Sequence, residues 1–164
     1  MERFNLLAAS PEYDDADPEG YRAGMDRFGP KIGASQIGGS VYEIPPGQSI
    51  CPYHYEYPEE EWLMPLDGVV IVRTPEGEAE LGSFEVVAFP PGAAGAHKVT
   101  NRGAETVRVL MLSTKPEVSV CVYPDSDKVL AVSPEDRHLS PRSWCGSRRG
   151  TGSSRPTRPR PSRN

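Results

Sequence analysis

Histidine and cysteine are both scarce in this sequence, with three of each among 164 residues. The cysteines, Cys51, Cys121 and Cys145, are far apart and form no C-x-x-C pair. A sparse, odd-numbered set without an export signal favours reduced thiols, so we expect a protein of the cytoplasm. Cys51 could be a ligand of the candidate site below, but we interpret it as a small buried residue.

Long hydrophobic runs and a basic N-terminal lead-in are also absent. The first ten residues, MERFNLLAAS, do not have the pattern of a signal peptide. No stretch is apolar for the roughly 20 residues that a membrane helix needs, so no membrane partner is expected. A Ser–His–Asp set and a glycine-rich phosphate-binding loop are missing as well.

The net charge of −5 is distributed unevenly along the chain. Residues 135–164 contain eight arginines against two acidic residues, a charge of +6, which leaves −11 for residues 1–134. An acidic body of this kind is not typical of a nucleic-acid-binding protein. A nucleic-acid partner is therefore expected only if the basic tail recruits one.

Residues 133–164 consist largely of Arg, Ser, Pro and Gly, and a segment with so few apolar residues is predicted to be a disordered tail. The simplest interpretation is a solvated tail without a role. Two alternatives stay open. The tail could bind nucleic acid or an acidic partner, or the abrupt change in composition could mark a change of reading frame that replaced the native C-terminus.

Proline (18) and glycine (16) are plentiful, as is typical of short strands separated by many turns. Residues 36–132 follow the period of strands and are predicted to form one all-β domain with antiparallel pairing. Within 118–123, for example, valines alternate with Ser, Cys and Tyr, as in a half-buried strand. Residues 1–35 are polar and turn-rich, and we expect them to form an N-terminal arm that packs across the barrel.

Two turns are predicted from their residue types. Asp67-Gly68 separates two apolar runs and predicts a hairpin, because such a turn needs a positive φ that glycine adopts at little cost. Thr74-Pro75-Glu76-Gly77 is predicted to form the next turn.

The segment around His54 contains the first candidate site residues. In a strand over 53–57, His54 and Glu56 share one face. After a turn at Pro58, Glu61 opens the next strand and can return toward the same interior. Imidazole and carboxylate groups placed in this way suit a divalent ion. The intervening Glu59 and Glu60 are interpreted as a solvated turn.

The opposite face of the same strand carries three tyrosines, Tyr53, Tyr55 and Tyr57. Three aromatic residues on the outside of a barrel would be an unusual exposure. The N-terminal arm could cover them. Because tyrosine is enriched in interface cores, we predict instead that they form the interface of a homodimer.

The second candidate segment is a proline-glycine loop that leads through His97 into a short strand. With both segments the chain resembles the cupin superfamily over roughly residues 36–132, and in particular small single-domain bacterial cupins of unassigned activity. The first cupin motif is matched by His54, Glu61 and Gly68. The second is matched, with two extra residues before the histidine, by Pro90, Gly92, His97 and Asn101.

The resemblance implies an antiparallel double-stranded β-helix, the cupin jelly-roll barrel, with one divalent metal ion (Mn, Fe, Zn or Ni). The implied ligands are His54, Glu56, Glu61 and His97. Glu56 stands where the motif usually has a second histidine, so it is either a fourth ligand or a general base. As a ligand it favours harder ions such as Mn(II) or Fe(II), and without it the other three form a facial triad with open positions.

The chain departs from the motifs at two further places. Phe84 replaces the leading glycine of the second motif, and Gly82 could supply the turn two residues earlier. Pro65 lies inside a predicted strand, which indicates an edge or a bulge there. Asn101, which matches the motif, is interpreted as a turn-former rather than a site residue.

Resemblance to cupins implies several kinds of chemistry, since the fold does not choose among them. We predict a metal-dependent enzyme or binder that acts on a small oxygen-rich molecule, such as a carboxylate or hydroxy acid. If it is an enzyme, it is a dioxygenase, a decarboxylase or an isomerase, with the metal acting as a Lewis acid or, in the case of iron, activating oxygen. The alternative is a metal-free module that senses or stores a small ligand.

Overall fold

The computed structural model describes residues 1–132, and the predicted tail at 133–164 lies outside the described residues. Apart from short 3-10 turns, residues 1–132 contain no helix. The predicted all-β class is confirmed. The eleven strands are β1 (Gly24–Arg27), β2 (Ile37–Ile44), β3 (Tyr55–Tyr57), β4 (Glu61–Pro65), β5 (Val69–Thr74), β6 (Gly77–Gly82), β7 (Val87–Phe89), β8 (Lys98–Thr100), β9 (Val107–Thr114), β10 (Ser119–Tyr123) and β11 (Lys128–Val132).

The strands form the antiparallel jelly roll that the sequence predicts. One face is a five-stranded sheet in the order β1-β2-β9-β4-β7. The other contains two three-stranded sheets, β6-β5-β8 and β11-β10-β3. Isolated antiparallel bridges, Ser49↔Thr100 and His54↔His97, join these two along one seam. The second candidate segment therefore pairs directly with the first.

The core lies between the two faces and is built from the alternating apolar residues of the strands. Leu63 and Val109 from the five-stranded sheet are completely buried, as is Val70 from β5. They belong to one cluster with Phe89 and Met111. Burial of such side chains stabilises the fold by about 1.5–3 kcal/mol each, so this cluster holds the two faces together.

The predicted turn at Thr74-Pro75-Glu76-Gly77 is confirmed, and the predicted hairpin at Asp67-Gly68 is wrong. Thr74 pairs with Gly77, so β5 and β6 form a hairpin across Pro75 and Glu76. Asp67-Gly68 does form a turn with a positive φ of 72° at Gly68. However, β4 pairs with β7 and β9 while β5 pairs with β6 and β8, so this turn carries the chain from one face to the other.

Residues 1–35 contribute one strand and part of the packing. β1 pairs with β2 at the edge of the five-stranded sheet. Phe4 stacks on Phe28 with ring centroids 5.2 Å apart, and both pack against the buried Val41 of β2. Asp26 on β1 is 5% exposed and accepts hydrogen bonds from the Ser10 amide and the Lys31 ammonium.

The predicted row of outward tyrosines is wrong at Tyr53. Tyr53 is buried, and the Arg73 guanidinium lies over its ring, 3.9 Å from the centroid. Tyr55 is half-buried, and of the three tyrosines only Tyr57, at 48% exposure, is exposed to solvent.

The prediction of reduced thiols also fails at Cys51, which is disulfide-bonded, whereas Cys121 is a free buried thiol.

The two departures from the motifs have clear structural positions. Pro65 is the last residue of β4 and lies beyond the β4–β7 pairing, which ends at Leu63↔Val87, so its missing N–H leaves that ladder intact. Phe84 has a φ of 65°, in the left-handed region that favours glycine, and its side chain is 72% exposed. The backbone of Phe84 is therefore strained, although its side chain makes few packing contacts.

Candidate metal centre

His54 and His97 face each other across the seam of the second face. Each Nδ1 lies next to a backbone carbonyl, that of Pro52 at 2.8 Å for His54 and that of Gly95 at 2.9 Å for His97. A carbonyl oxygen can only accept, so both Nδ1 atoms carry the proton. In the neutral rings each Nε2 therefore presents a lone pair, the tautomer that a metal ligand needs.

The loop before His97 sets the position of its ring. A 3-10 turn over Ala93–Gly95 lies between Gly92 and His97, the part of the loop that is two residues longer than in the second motif. A Cβ at Gly95 would lie 1.8 Å from the Pro90 carbonyl oxygen, so only glycine permits this close approach. The His97 ring then stacks on Phe89 with centroids 3.7 Å apart and planes within 7°.

Glu61 reaches the two histidines from the opposite sheet. It is the first residue of β4, and its Oε2 lies 3.4 Å from His97 Nε2 and 3.9 Å from His54 Nε2. Among the described residues His97 Nε2 has no hydrogen-bond partner, although it is fully buried. Two lone-pair atoms at this separation need a proton or a cation between them. Ligand atoms about 2.1 Å from a common ion lie about 3.0–3.4 Å apart. The Glu61–His97 pair has this spacing, and His54 Nε2, at 3.9 Å, is near enough to complete a group of three candidate ligands.

The site keeps both histidines neutral at neutral pH. Burial lowers the pKa of His54. Burial, together with the neighbouring His54, lowers the pKa of His97 to about 3. The lone pairs are therefore free of protons under ordinary conditions, which removes the competition that a metal meets at an exposed histidine.

The carboxylates of the site show the opposite effect. Burial, then the Glu61 charge and a hydrogen bond with Glu59, raise the pKa of Glu56 to about 10. Burial first and the charge of Glu59 second raise the pKa of Glu61 to about 7. Lys115 counteracts both shifts in part. A bound cation would reverse the shifts, because it stabilises the ionised carboxylates.

Glu59 is the site residue that sequence reasoning missed. The prediction of a solvated turn is wrong for it, because Glu59 is only 4% exposed and turns inward beside Glu56 and Glu61. Glu60 is different: its carboxylate accepts a hydrogen bond from Trp62 Nε1 at 2.8 Å on the outside. The run Glu59-Glu60-Glu61 alternates in direction as a strand does, which was the available signal.

The site opens into a cavity of about 470 Å³ between the two faces. Its floor contains the two histidines and the three glutamates, and its walls include the apolar residues Ile50, Val99 and Met111. Arg27 and Lys115 also line it. An apolar wall combined with polar groups that converge on one part of the cavity is typical of a small-molecule site.

Two other residues near the site have different roles. Asn101 is fully buried, and its Nδ2 donates to the carbonyls of Ile44 and Glu105, both at 2.7 Å, which supports its interpretation as a turn-former. Cys121 pairs with Glu56 in the β10–β3 ladder and lies within reach of His54 and Glu56. Burial raises the pKa of the Cys121 thiol, so it stays protonated and is a weak ligand.

Comparison with known proteins places the chain among proteins of one fold. The model of the cupin domain family matches residues 40–113. No curated protein matches the sequence. The solved structures that resemble this chain are less than 25% identical to it, so the likeness shows the fold alone. One similar structure is a candidate sugar phosphate isomerase from Acidithiobacillus ferrooxidans, with a TM-score of 0.67 and 23% identity over 80% of this chain and 89% of that one. A sugar phosphate isomerase from Silicibacter pomeroyi has a TM-score of 0.67 and 19% identity over 81% of this chain and 93% of that one. A polyketide cyclase from Streptomyces resistomycificus has a TM-score of 0.59 and 20% identity over 88% of this chain and 97% of that one.

Proposed function

The chain belongs to the cupin superfamily, and from this premise we propose that His54, Glu61 and His97 bind a divalent metal ion that holds a small oxygen-rich metabolite in the cavity. The observation that carries the proposal is the buried His97 Nε2, which has no hydrogen-bond partner among residues 1–132 and lies 3.4 Å from Glu61 Oε2. A cation between them satisfies both atoms.

Glu56 completes the proposed set of ligands as a fourth member or serves as a general base. Its Oε2 is buried and has no hydrogen-bond partner in the described part of the chain. A donor set of two imidazoles and one or two carboxylates favours Mn(II) or Fe(II), with Zn(II) and Ni(II) as alternatives. The bound ion would supply Lewis-acid or, with iron, oxygen-dependent chemistry to the cavity.

The ligand we propose is a small carboxylate or hydroxy acid. Its oxygens would occupy the open positions of the ion, and Lys115 at the cavity wall would pair with its negative charge. Lys115 is positioned by its amide, which donates to the Gln36 carbonyl at 3.0 Å, and by its ammonium, which donates to Ser113 Oγ at 3.2 Å. The apolar wall then excludes water from the bound molecule.

The test is calorimetric titration of the full chain with a panel of small dicarboxylates and hydroxy acids, with and without Mn(II). We expect binding that requires the metal and that weakens at least tenfold in Lys115→Met. Lys128→Met, at an exposed lysine on β11, is the matched control and should bind as the parent does. Binding of an acid that is equally strong without metal would contradict the proposal and favour a metal-free sensing module.

A homodimer also remains part of the proposal, on a narrower surface than the sequence suggested. The buried Tyr53 cannot contribute, so Tyr57, which is in edge-on contact with Tyr55 at 5.6 Å, is the member of this tyrosine row that is most exposed to a partner. Light scattering at micromolar concentration should give about twice the chain mass of 17.9 kDa. A mass of one chain, or a dimer unchanged by Tyr57→Ser, would contradict this interface.

A further inference from the structure

The cavity floor contains a third carboxylate, that of the buried Glu59, which a single metal ion does not need. One oxygen from each of Glu56, Glu59 and Glu61 lies within 4.8 Å of the other two. His54, Glu61 and His97 form a separate group with the same spacing. Glu61 belongs to both groups, and a carboxylate has two oxygens with which to serve them.

The backbone directs Glu59 inward. The Glu60 amide donates to Thr114 Oγ1 at 3.0 Å, and the Thr114 amide donates to the Glu60 carbonyl at the same distance. With Glu60 fixed to β9 and its side chain bonded to Trp62 outside, the preceding side chain must point into the cavity. Glu59 is accordingly 4% exposed.

The buried oxygens of this group lack donors. Glu56 Oε2 and Glu59 Oε1 have no hydrogen-bond partner in the described part of the chain. A proton shared between Glu56 and Glu59 satisfies one oxygen of each and leaves these two unpaired. Burying a carboxylate oxygen without a partner costs several kcal/mol, so a positively charged ligand is the arrangement that stabilises the cluster.

We propose that Glu56, Glu59 and Glu61 form a second cation site beside the first, with Glu61 bridging the two ions. Three carboxylates with no nitrogen ligand suit a hard divalent cation such as Mg(II), Ca(II) or Mn(II). Two ions that share a carboxylate lie about 3.5–4 Å apart in two-metal sites, where both can hold the oxygens of one ligand. The inference rests on the proposed function for the first ion and extends it to a two-metal centre, in which His54, Glu61 and His97 hold the first ion and Glu56 is a ligand of the second instead of a fourth ligand of the first.

The experiment is a titration of the full, metal-free chain with Mn(II), followed by the paramagnetic resonance of free and bound manganese. We expect two equivalents to bind and the doubly loaded protein to show the spectrum of a spin-coupled manganese pair. Glu59→Gln should bind one equivalent and show an uncoupled spectrum. Glu60→Gln, one residue away with its side chain outside, is the matched control and should keep both equivalents.

The outcomes separate the two proposals. One equivalent in the parent chain upholds the first site and overturns the second. Two uncoupled equivalents, or two equivalents that survive in Glu59→Gln, place the second ion elsewhere and also overturn it. No bound manganese in the parent contradicts the proposed function itself. If Glu59→Gln does not fold, the number of manganese ions bound by the parent chain still tests the second site, because one equivalent overturns it.

Discussion

The backbones of His54 and His97 are hydrogen-bonded to each other in both directions. The His54 amide donates to the His97 carbonyl at 3.1 Å, and the His97 amide donates to the His54 carbonyl at 2.8 Å. The imidazoles of the proposed metal centre are thus held by an isolated antiparallel bridge between the two segments, with ring centroids 4.7 Å apart. Because both Nδ1 atoms are also bound to carbonyls, the positions of the two Nε2 atoms are set before any ligand arrives.

The side chain of Asn101 joins the turn after β8 to the end of β2. Its side chain makes three hydrogen bonds, to the Ile44 and Glu105 carbonyls and from the Gly103 amide, while it is completely buried. Asn101→Ala should lower the free energy of unfolding by about 2–4 kcal/mol, because it leaves buried backbone groups unpaired. Urea denaturation checks this value. A loss below about 0.5 kcal/mol would contradict the structural role assigned to Asn101.

The strained turn at Phe84 predicts a stabilising substitution. The left-handed conformation costs a non-glycine residue about 1–2 kcal/mol, and the extra chain entropy of glycine offsets about 0.5–1 kcal/mol of the gain. Phe84→Gly should therefore raise the free energy of unfolding by about 0.5–1 kcal/mol, since its exposed ring packs against little. Val86 is also exposed but has a negative φ, so Val86→Gly is the control. It relieves no strain and should destabilise the protein through the extra chain entropy of glycine. Equal effects of the two substitutions would count against strain at Phe84.

Asp26 predicts a dependence of stability on pH. Burial opposes ionisation of Asp26, but hydrogen bonds from Lys31 and Ser10 outweigh it and lower the pKa below its ordinary 3.8. A carboxylate with a depressed folded pKa stabilises the protein above that ordinary value, and the effect is lost as the pH falls through the folded pKa. Asp26→Asn should thus cost about 1 kcal/mol at pH 7 and progressively less below pH 4, since the partner Lys31 is half exposed.

The measurement for Asp26 is urea denaturation of parent and variant across this pH range. The exposed Asp15→Asn is the control and should show no such trend. A cost of Asp26→Asn that grows toward low pH would contradict the assigned sign.

The metal-ligand candidates could be predicted from the sequence because motif spacing reflects strand geometry. The spacing of His54, Glu61 and Gly68 corresponds to one strand, a turn and the next strand, which returns the carboxylate to the imidazole. Glu59 could not be predicted in this way, because its burial depends on Thr114, 55 positions further along the chain, fixing the adjacent Glu60. Local composition alone favours solvent for three consecutive glutamates.

The alternation of side chains along a strand could be predicted from the sequence, but which of the two faces is buried could not. The alternation over 118–123 is real, yet the buried face carries Ser119, Cys121 and Tyr123, while Val118 is 52% exposed. The cavity lies on that side, so polar and aromatic residues face inward and the valines face outward. The turn at Asp67-Gly68 shows the same limit: its φ follows from the residue types, but which strands pair is decided by the packing of the whole barrel.

The most direct test of the metal centre is the metal content of the full chain, purified without a histidine tag, by mass spectrometry. The parent should contain at least one equivalent of Mn, Fe, Zn or Ni, and His54→Ala and His97→Ala should each contain one equivalent fewer. His138→Ala, which changes the third histidine of the sequence, should match the parent. A parent chain that contains no metal and takes none up on addition would contradict the account.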